Sequence, residues 1–148
     1  MVIRSAVPRD ADAIAARSSQ LGYPVSPDEV TAHQASLRSL PDHSVLVAEA
    51  EQGLVVGWVH VFVSRRLFVP PFAKLGGIVV LDSHRRCGVG SSLLSRAEEW
   101  ALGVGCSVLR IRSNIRRVDA DRFYRGCGYR LSKTQSVFEK ALVPNQPA

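Results

Sequence analysis

The residues best suited to chemistry gather at one junction, Leu81-Asp82-Ser83-His84-Arg85-Arg86-Cys87-Gly88-Val89-Gly90-Ser91. An apolar run from Gly77 to Leu81 precedes it, and an amphipathic helical pattern follows from about Gly88. The start of a helix leaves its first backbone N–H groups without partners and carries a partial positive charge. Glycines at 88 and 90 remove the Cβ atoms that would hold an anion away from those amides, and Arg85 and Arg86 add charge beside them. Strand, basic glycine loop and helix together form a pyrophosphate cradle. Two glycines alone are equally consistent with a tight turn that needs them for geometry. A Walker loop is excluded, since no Gly-Lys-Ser/Thr occurs. A dinucleotide fingerprint is excluded too, because position 93 is Leu where a third glycine is required and the motif follows the fourth predicted strand.

The elements that must position this junction are legible from periodicity. Val2 to Val7 reads as an edge strand. Pro8 opens a helix with Asp10 and Asp12 in its first turn, ended by Gly22. Ser26-Pro27-Asp28-Glu29 is a second start, with Ser26 as cap and Glu29 completing a capping box; this helix stops before Pro41. Val45 to Glu51 and Leu54 to Ser64 are strands joined at Gln52-Gly53, and Ala73 to Leu81 is a third. Val89, Leu93, Leu94, Ala97, Trp100 and Ala101 form the apolar face of the long helix, which Gly103 and Gly105 end. Val108 to Ser113 is the next strand, Asp119 to Arg125 a short helix, and Tyr129 to Ser132 and Ser136 to Leu142 the last strands. The order β-α-α-β-β-β-α-β-α-β-β is a mixed α/β sheet in one domain, residues 1–143, with a frayed tail at 144–148.

Composition excludes several classes. With 46% hydrophobic and 22% charged residues, the 148-residue chain has the apolar content of a globular domain and needs no disulfide or metal staple. The longest nearly apolar run, Leu54 to Val63, is far shorter than the roughly 20 residues of a membrane span. Three scattered cysteines (Cys87, Cys106, Cys127), no CxxC and no signal-peptide order point to a reducing cytoplasm and to no bound metal. The net charge of +6 lies wholly in the second half, and most basic residues are arginine, which grips phosphate in bidentate fashion. The partner is then a phosphorylated cofactor or nucleic acid, or the charge is a solvated face.

The pattern Arg85-x-x-Gly88-x-Gly90, after an apolar strand and opening an amphipathic helix, resembles the acyl-coenzyme A motif of the GNAT superfamily of N-acetyltransferases. Ser113-Asn114, Arg117 and Phe123-Tyr124-x-x-x-Gly128-Tyr129 resemble that family's downstream signature, and the element order is similar across residues 2–143. The resemblance implies a GNAT-like acyl-CoA N-acyltransferase fold and acetyl-CoA as cosubstrate. In such a fold the strand before the loop bulges and splays from its neighbour. The backbones of Ile78, Val79 and Val80 then hold the pantetheine arm, and the amide near Val79 polarises the thioester carbonyl. The amides of Arg85, Arg86, Cys87, Gly88, Val89, Gly90 and Ser91 hold the pyrophosphate, and Asn114 contacts the cofactor. Tyr124 protonates the departing thiolate. The amine attacks directly, so Cys87 is a small filler in the loop and not a nucleophile; Cys106 and Cys127 pack beside glycines, and Phe123 packs in the core.

Two positions depart from the family pattern. Many relatives carry a glutamate base in the strand before the loop, where this chain has Lys74-Leu75-Gly76-Gly77-Ile78. Ordered water, Glu49, Asp82 and His60 are the remaining candidates, although His60, alternating with Trp58 and Phe62, reads as a buried structural histidine. Asp121 stands where relatives often have histidine. The resemblance places the acceptor near Tyr23, Glu29, His33 and Phe72, and the Arg65-Arg66 pair hints at an anionic acceptor. The expected function is therefore acetyl transfer to a small-molecule primary amine, with no nucleic acid or membrane partner and with the homodimer common in the family. A non-catalytic CoA-binding sensor of the same fold and a basic nucleic-acid-binding module are the rival readings.

Overall fold

The computed structural model describes residues 1–143, which fall in two compact units, Met1–Arg112 and one that begins at Ser113. The first contains β1 (Val2–Ser5), α1 (Ala11–Gln20), α2 (Pro27–Arg38), β2 (His43–Glu49), β3 (Val55–Ser64), β4 (Phe72–Val80), α3 (Val89–Gly103) and β5 (Leu109–Arg110). Its sheet runs β1-β2-β3-β4-β5, antiparallel except for the parallel pair β4–β5. Period-2 alternation divides the strand side chains between two faces. Leu46, Val59, Val61 and Ala73 pack with Val89, Leu93 and Ala97 of α3 on one face. Val47 and Val55 pack with Ala11, Ile14, Ala15 and Val30 of α1 and α2 on the other.

Local chemistry sets the helix starts. Ser26 and Glu29 form the expected capping box, each side-chain oxygen accepting the other's backbone N–H at 3.1 Å. A 3-10 turn at Pro8–Asp10 leads into α1, and the Asp10 carboxylate there is buried. Asp10 accepts from both terminal nitrogens of Arg4 (2.8 and 3.0 Å) and from the Val7 N–H (2.8 Å). Burial alone pushes that carboxyl up, but Arg4 and Val7 outweigh it and hold it below its usual range. The hairpin between β2 and β3 turns through Gln52 at φ 62° and Gly53 at φ 76°.

Three expectations need correction. Val108 to Ser113 was expected as a strand, but only Leu109–Arg110 pairs with β4, and a strand without a ladder partner does not persist. Ala73 to Leu81, read as a central strand, does lie inside the sheet as β4, but β5 covers its second edge over two residues only. In the second unit α4 (Val118–Gly126) forms, but Tyr129 to Ser132 and Ser136 to Leu142 carry no strand. Val137, Phe138 and Leu142 are 72, 92 and 88% exposed, so their alternation buries no face that would hold a ladder. The observed order among the described residues ends at α4. The tail at 144–148 lies outside them.

Candidate active site

The site begins with a bulge. β4 pairs with β3 along its length, but His60 faces Gly77 and Val61 faces Leu75, which leaves Gly76 as the extra residue. Glycine is required here by packing: a Cβ on Gly76 would strike the His60 imidazole, and one on Gly77 would lie 2.8 Å from the Trp58 ring. Trp58 is itself fixed, its indole N–H donating to Ser18 Oγ at 3.1 Å. On its other edge β4 meets β5 through Ala73↔Leu109 and Lys74↔Arg110 alone. β5 ends at Arg110, so among the described residues no strand pairs with the edge of Leu75–Val80 opposite β3. Such an edge offers amides and carbonyls to an extended amide-bearing ligand. Ile78, Val79 and Val80, the residues expected to hold the pantetheine arm, all lie on this stretch.

The open edge leads into the start of α3. Leu81 N–H donates to Val56 O at 2.8 Å, pinning the end of β4. The chain then turns through Arg86 at φ 61° and Gly88 at φ 81°, left-handed conformations that favour glycine at 88 and strain Arg86. The first helical bond runs from Ser92 N–H to Gly88 O, so the amides of Val89, Gly90 and Ser91 lie ahead of it. No side chain caps this helix and no acidic residue stands in its first turn. A Cβ at Gly88 would meet only Ser91 Oγ, 3.9 Å away. Packing leaves that approach open, and a phosphate needs it open. Arg85 forms an ion pair with Asp82 at 3.1 Å. Cys87, expected as filler, is exposed, its Sγ 3.5 Å from the Arg85 carbonyl. Cys106 is buried next to Gly105, and Cys127 is half-buried between Gly126 and Gly128.

In the second unit, Tyr124 lies on α4 with its ring 5.3 Å from Phe123 and 6.3 Å from Tyr129. Phe123, expected in the core, is only half-buried. Asn114 Oδ1 accepts from Arg116 N–H at 2.9 Å, shaping the loop before α4. Asp121 pairs with Arg125 at 2.9 Å along the helix.

The residues suggested for acceptor and base separate. Tyr23 is exposed in the turn after α1. The Glu29 carboxylate is held below its usual range by the Ser26 backbone N–H first and the Ser26 hydroxyl next. Phe72 is buried within β4 and is no loop aromatic. The Arg65-Arg66 pair divides, Arg65 binding Asp42 through two nitrogens while Arg66 lies over the Phe72 ring. Glu49 is bonded to Arg4 at 2.6 Å on the β1–β2 side, two strands from the bulge, and Asp82 is engaged by Arg85. His60 does adjoin the bulge. Its Nε2 lies 3.0 Å from His43 Nδ1, and burial first, then the charge of His43, push its pKa down to about 4. Sequence reading did not assemble Arg66, Phe72, Lys74 and Arg110; their side-by-side placement follows from strand register, which pattern alone does not set.

A family model described as "Acetyltransferase (GNAT) family" matches residues 11–129, across both units. The chain is 27% identical over 122 residues to an aminoglycoside N(6')-acetyltransferase type 1 of Serratia marcescens, covering 79% of this chain and 83% of that protein. It is 43% identical over 65 residues to an aminoalkylphosphonate N-acetyltransferase of Salmonella typhimurium, a match covering 44% of this chain and 41% of that one. A solved aminoglycoside N-acetyltransferase in complex with CoA superposes with a TM-score of 0.82 at 17% identity, over 95% of this chain and 99% of that chain.

Proposed function

This chain belongs to the GNAT family of acetyltransferases, and from that premise we propose that it moves an acetyl group from acetyl-CoA to the primary amine of a small molecule. One observation carries the reading: the β4 edge left unpaired past Lys74 runs directly into the uncapped, glycine-flanked start of α3. The two named relatives act on small amines by their names, and the superposed structure holds CoA. Residues 1–143 act in this reading as one domain.

Acetyl-CoA supplies the activated acyl group as a thioester. The chain's own residues bind and orient. The backbones of Ile78, Val79 and Val80 hold the pantetheine amides in the manner of an added strand, and the Val79 N–H, held rigid within β4, stabilises the oxyanion that develops on the acyl carbonyl. The amides from Arg85 to Ser91, at the positive end of α3, hold the pyrophosphate, with Arg86 adding charge. Tyr124 donates its hydroxyl proton to the departing thiolate, and Asn114 contacts the cofactor. Transfer is direct, both substrates being bound together, so no cysteine of the chain carries the acyl group. Tyr23, Glu29 and Phe72 lie on the acceptor's side. We place the reaction in the reducing cytoplasm; among the described residues no helix is long and apolar enough to cross a membrane.

A calorimetric titration of the purified chain with acetyl-CoA tests this. One micromolar site per chain is expected. A folded sample that takes up no acetyl-CoA overturns the reading.

A further inference from the structure

Four cations stand together where the β4–β5 pairing ends. Lys74 is in register with Arg110 on the neighbouring strand. The Arg110 guanidinium lies 4.2 Å above the centre of the Phe72 ring, and that of Arg66 lies 5.2 Å from the same ring. Strand alternation puts Phe72 and Lys74 on one face, opposite Ala73, and Phe72 acts as a platform that fixes two guanidinium planes. Arg112 completes the group: burial first, then repulsion from Arg112, Arg66 and Arg110, holds the Lys74 ammonium below the usual lysine range. The ion pairs among the described residues all use other side chains, the nearby Asp42 being taken by Arg65. Like charges are thus held together, Lys74 and Arg110 half-buried and Arg66 and Arg112 exposed, with no carboxylate among the described residues at ion-pair distance from them. Such an arrangement is unfavourable by itself and becomes favourable when an anion arrives.

The cradle at α3 is a separate anion site. Lys74 and Val80 stand six residues apart on β4, about 20 Å at 3.3 Å per residue. The cluster therefore lies at the opposite end of that edge from the proposed pyrophosphate site, the end toward which an extended pantetheine arm would carry its thioester.

We infer that the acceptor is a primary amine bearing an acidic group, a carboxylate or phosphonate, which Lys74, Arg110 and Arg66 hold where the β4–β5 pairing ends. The inference rests on the acetyltransferase reading and names the substrate class of that site. A planar guanidinium fixed on an aromatic face grips such an oxyanion in bidentate fashion, with the Lys74 ammonium as a third contact. The same cations repel an ammonium, so they favour the neutral, nucleophilic amine and reject polycationic aminoglycosides.

The test compares 2-aminoethylphosphonate and β-alanine with ethanolamine, which lacks the acidic group, and with kanamycin. Acetylation by the full chain is followed by CoA release, and acetyl-CoA binding is measured in parallel by calorimetry. At least one acidic amine is expected to exceed ethanolamine by 100-fold or more in kcat/KM. Lys74→Met and, separately, Arg110→Gln are expected to reduce that ratio tenfold or more with acetyl-CoA affinity unchanged. Thermal-shift titration with 2-aminoethylphosphonate at fixed ionic strength gives a second readout, a stabilisation lost in Lys74→Met. Preference for kanamycin or ethanolamine overturns the inference and leaves the acetyltransferase reading standing. So does acetyl-CoA binding with neither turnover nor stabilisation by either acidic amine. Absence of acetyl-CoA binding overturns the acetyltransferase reading itself, and the thermal shift then judges the anion site alone.

Discussion

The Cβ that Gly76 lacks would lie within the imidazole of His60. That contact explains why β4 bulges where it does. The His60 ring occupies the space a side chain would need, so the chain at 76 passes as bare backbone. Gly76→Ala is therefore expected to destabilise the protein by about 2 kcal/mol through overpacking. The double variant Gly76→Ala with His60→Ala should recover most of that loss. Denaturant midpoints of the four proteins in the cycle give the coupling, and an additive result removes the steric account.

His60 also sets an acid response. Its pKa in the folded chain, about 4, lies below the ordinary value of 6.5, so the unfolded state binds more protons between those limits. Stability is then complete above about pH 6.5, falls as the pH drops toward 4, and levels below it. The full shift would correspond to about 3 kcal/mol at 1.4 kcal/mol per unit, and the partial exposure of the ring reduces this to about 2 kcal/mol. Unfolding free energies of the wild type and His60→Gln at pH 7 and pH 4.5 check this. The variant is expected to lose most of the difference, and an equal slope in both proteins assigns it to other groups.

At the cradle, Gly88 has φ 81° and open space where a Cβ would point. Gly88→Ala carries the backbone strain, about 1 kcal/mol, with the smallest added bulk. Gly88→Val adds a branched side chain in the path of the pyrophosphate. Acetyl-CoA affinity should fall modestly in the first and by at least 100-fold in the second, with circular dichroism showing both folded. Equal affinities for the two would mean that only the left-handed turn, and no anion approach, requires glycine.

How far sequence reasoning reached follows from the range of each signal. The Ser26–Glu29 capping box, the apolar face of α3 and the glycine loop are local patterns, set within a few residues, and they stand in the structure as read. The bulge at Gly76 was available through the family resemblance alone, because it depends on register against a distant strand, and so does the two-residue length of β5. Phe72 fell outside the strand read as Ala73 to Leu81 although it begins β4, and nothing near it in sequence reveals the Arg110 guanidinium above its ring. The final strands were overread for the opposite reason. Val137 and Phe138 have β propensity, but propensity without a paired edge does not make a strand.

The buried carboxylate of Asp10 gives a stability prediction remote from the cradle. Arg4 binds Asp10 through both terminal nitrogens and Glu49 through Nε, tying the start of α1 to β1 and β2. Removing one partner of a buried pair leaves the other uncompensated. Arg4→Met should cost about 3 kcal/mol, whereas Glu49→Gln, on the more exposed arm of the network, should cost about 1 kcal/mol or less. Thermal melts of the two variants test the ranking. Neither should change acetyl-CoA affinity, since Glu49 lies two strands from the opened edge.

In the proposed reaction, proton delivery rests on Tyr124. Its ring packs on Phe123 and Tyr129, contacts that phenylalanine preserves, so Tyr124→Phe should fold as the wild type does. A general acid contributes about 100-fold or more to the rate, and the leaving thiolate is where that proton is needed. The variant is therefore expected to lose about 100-fold in kcat with acetyl-CoA affinity within twofold. A loss in affinity with kcat intact would make Tyr124 a binding residue, and an unchanged kcat would remove it from the acid role.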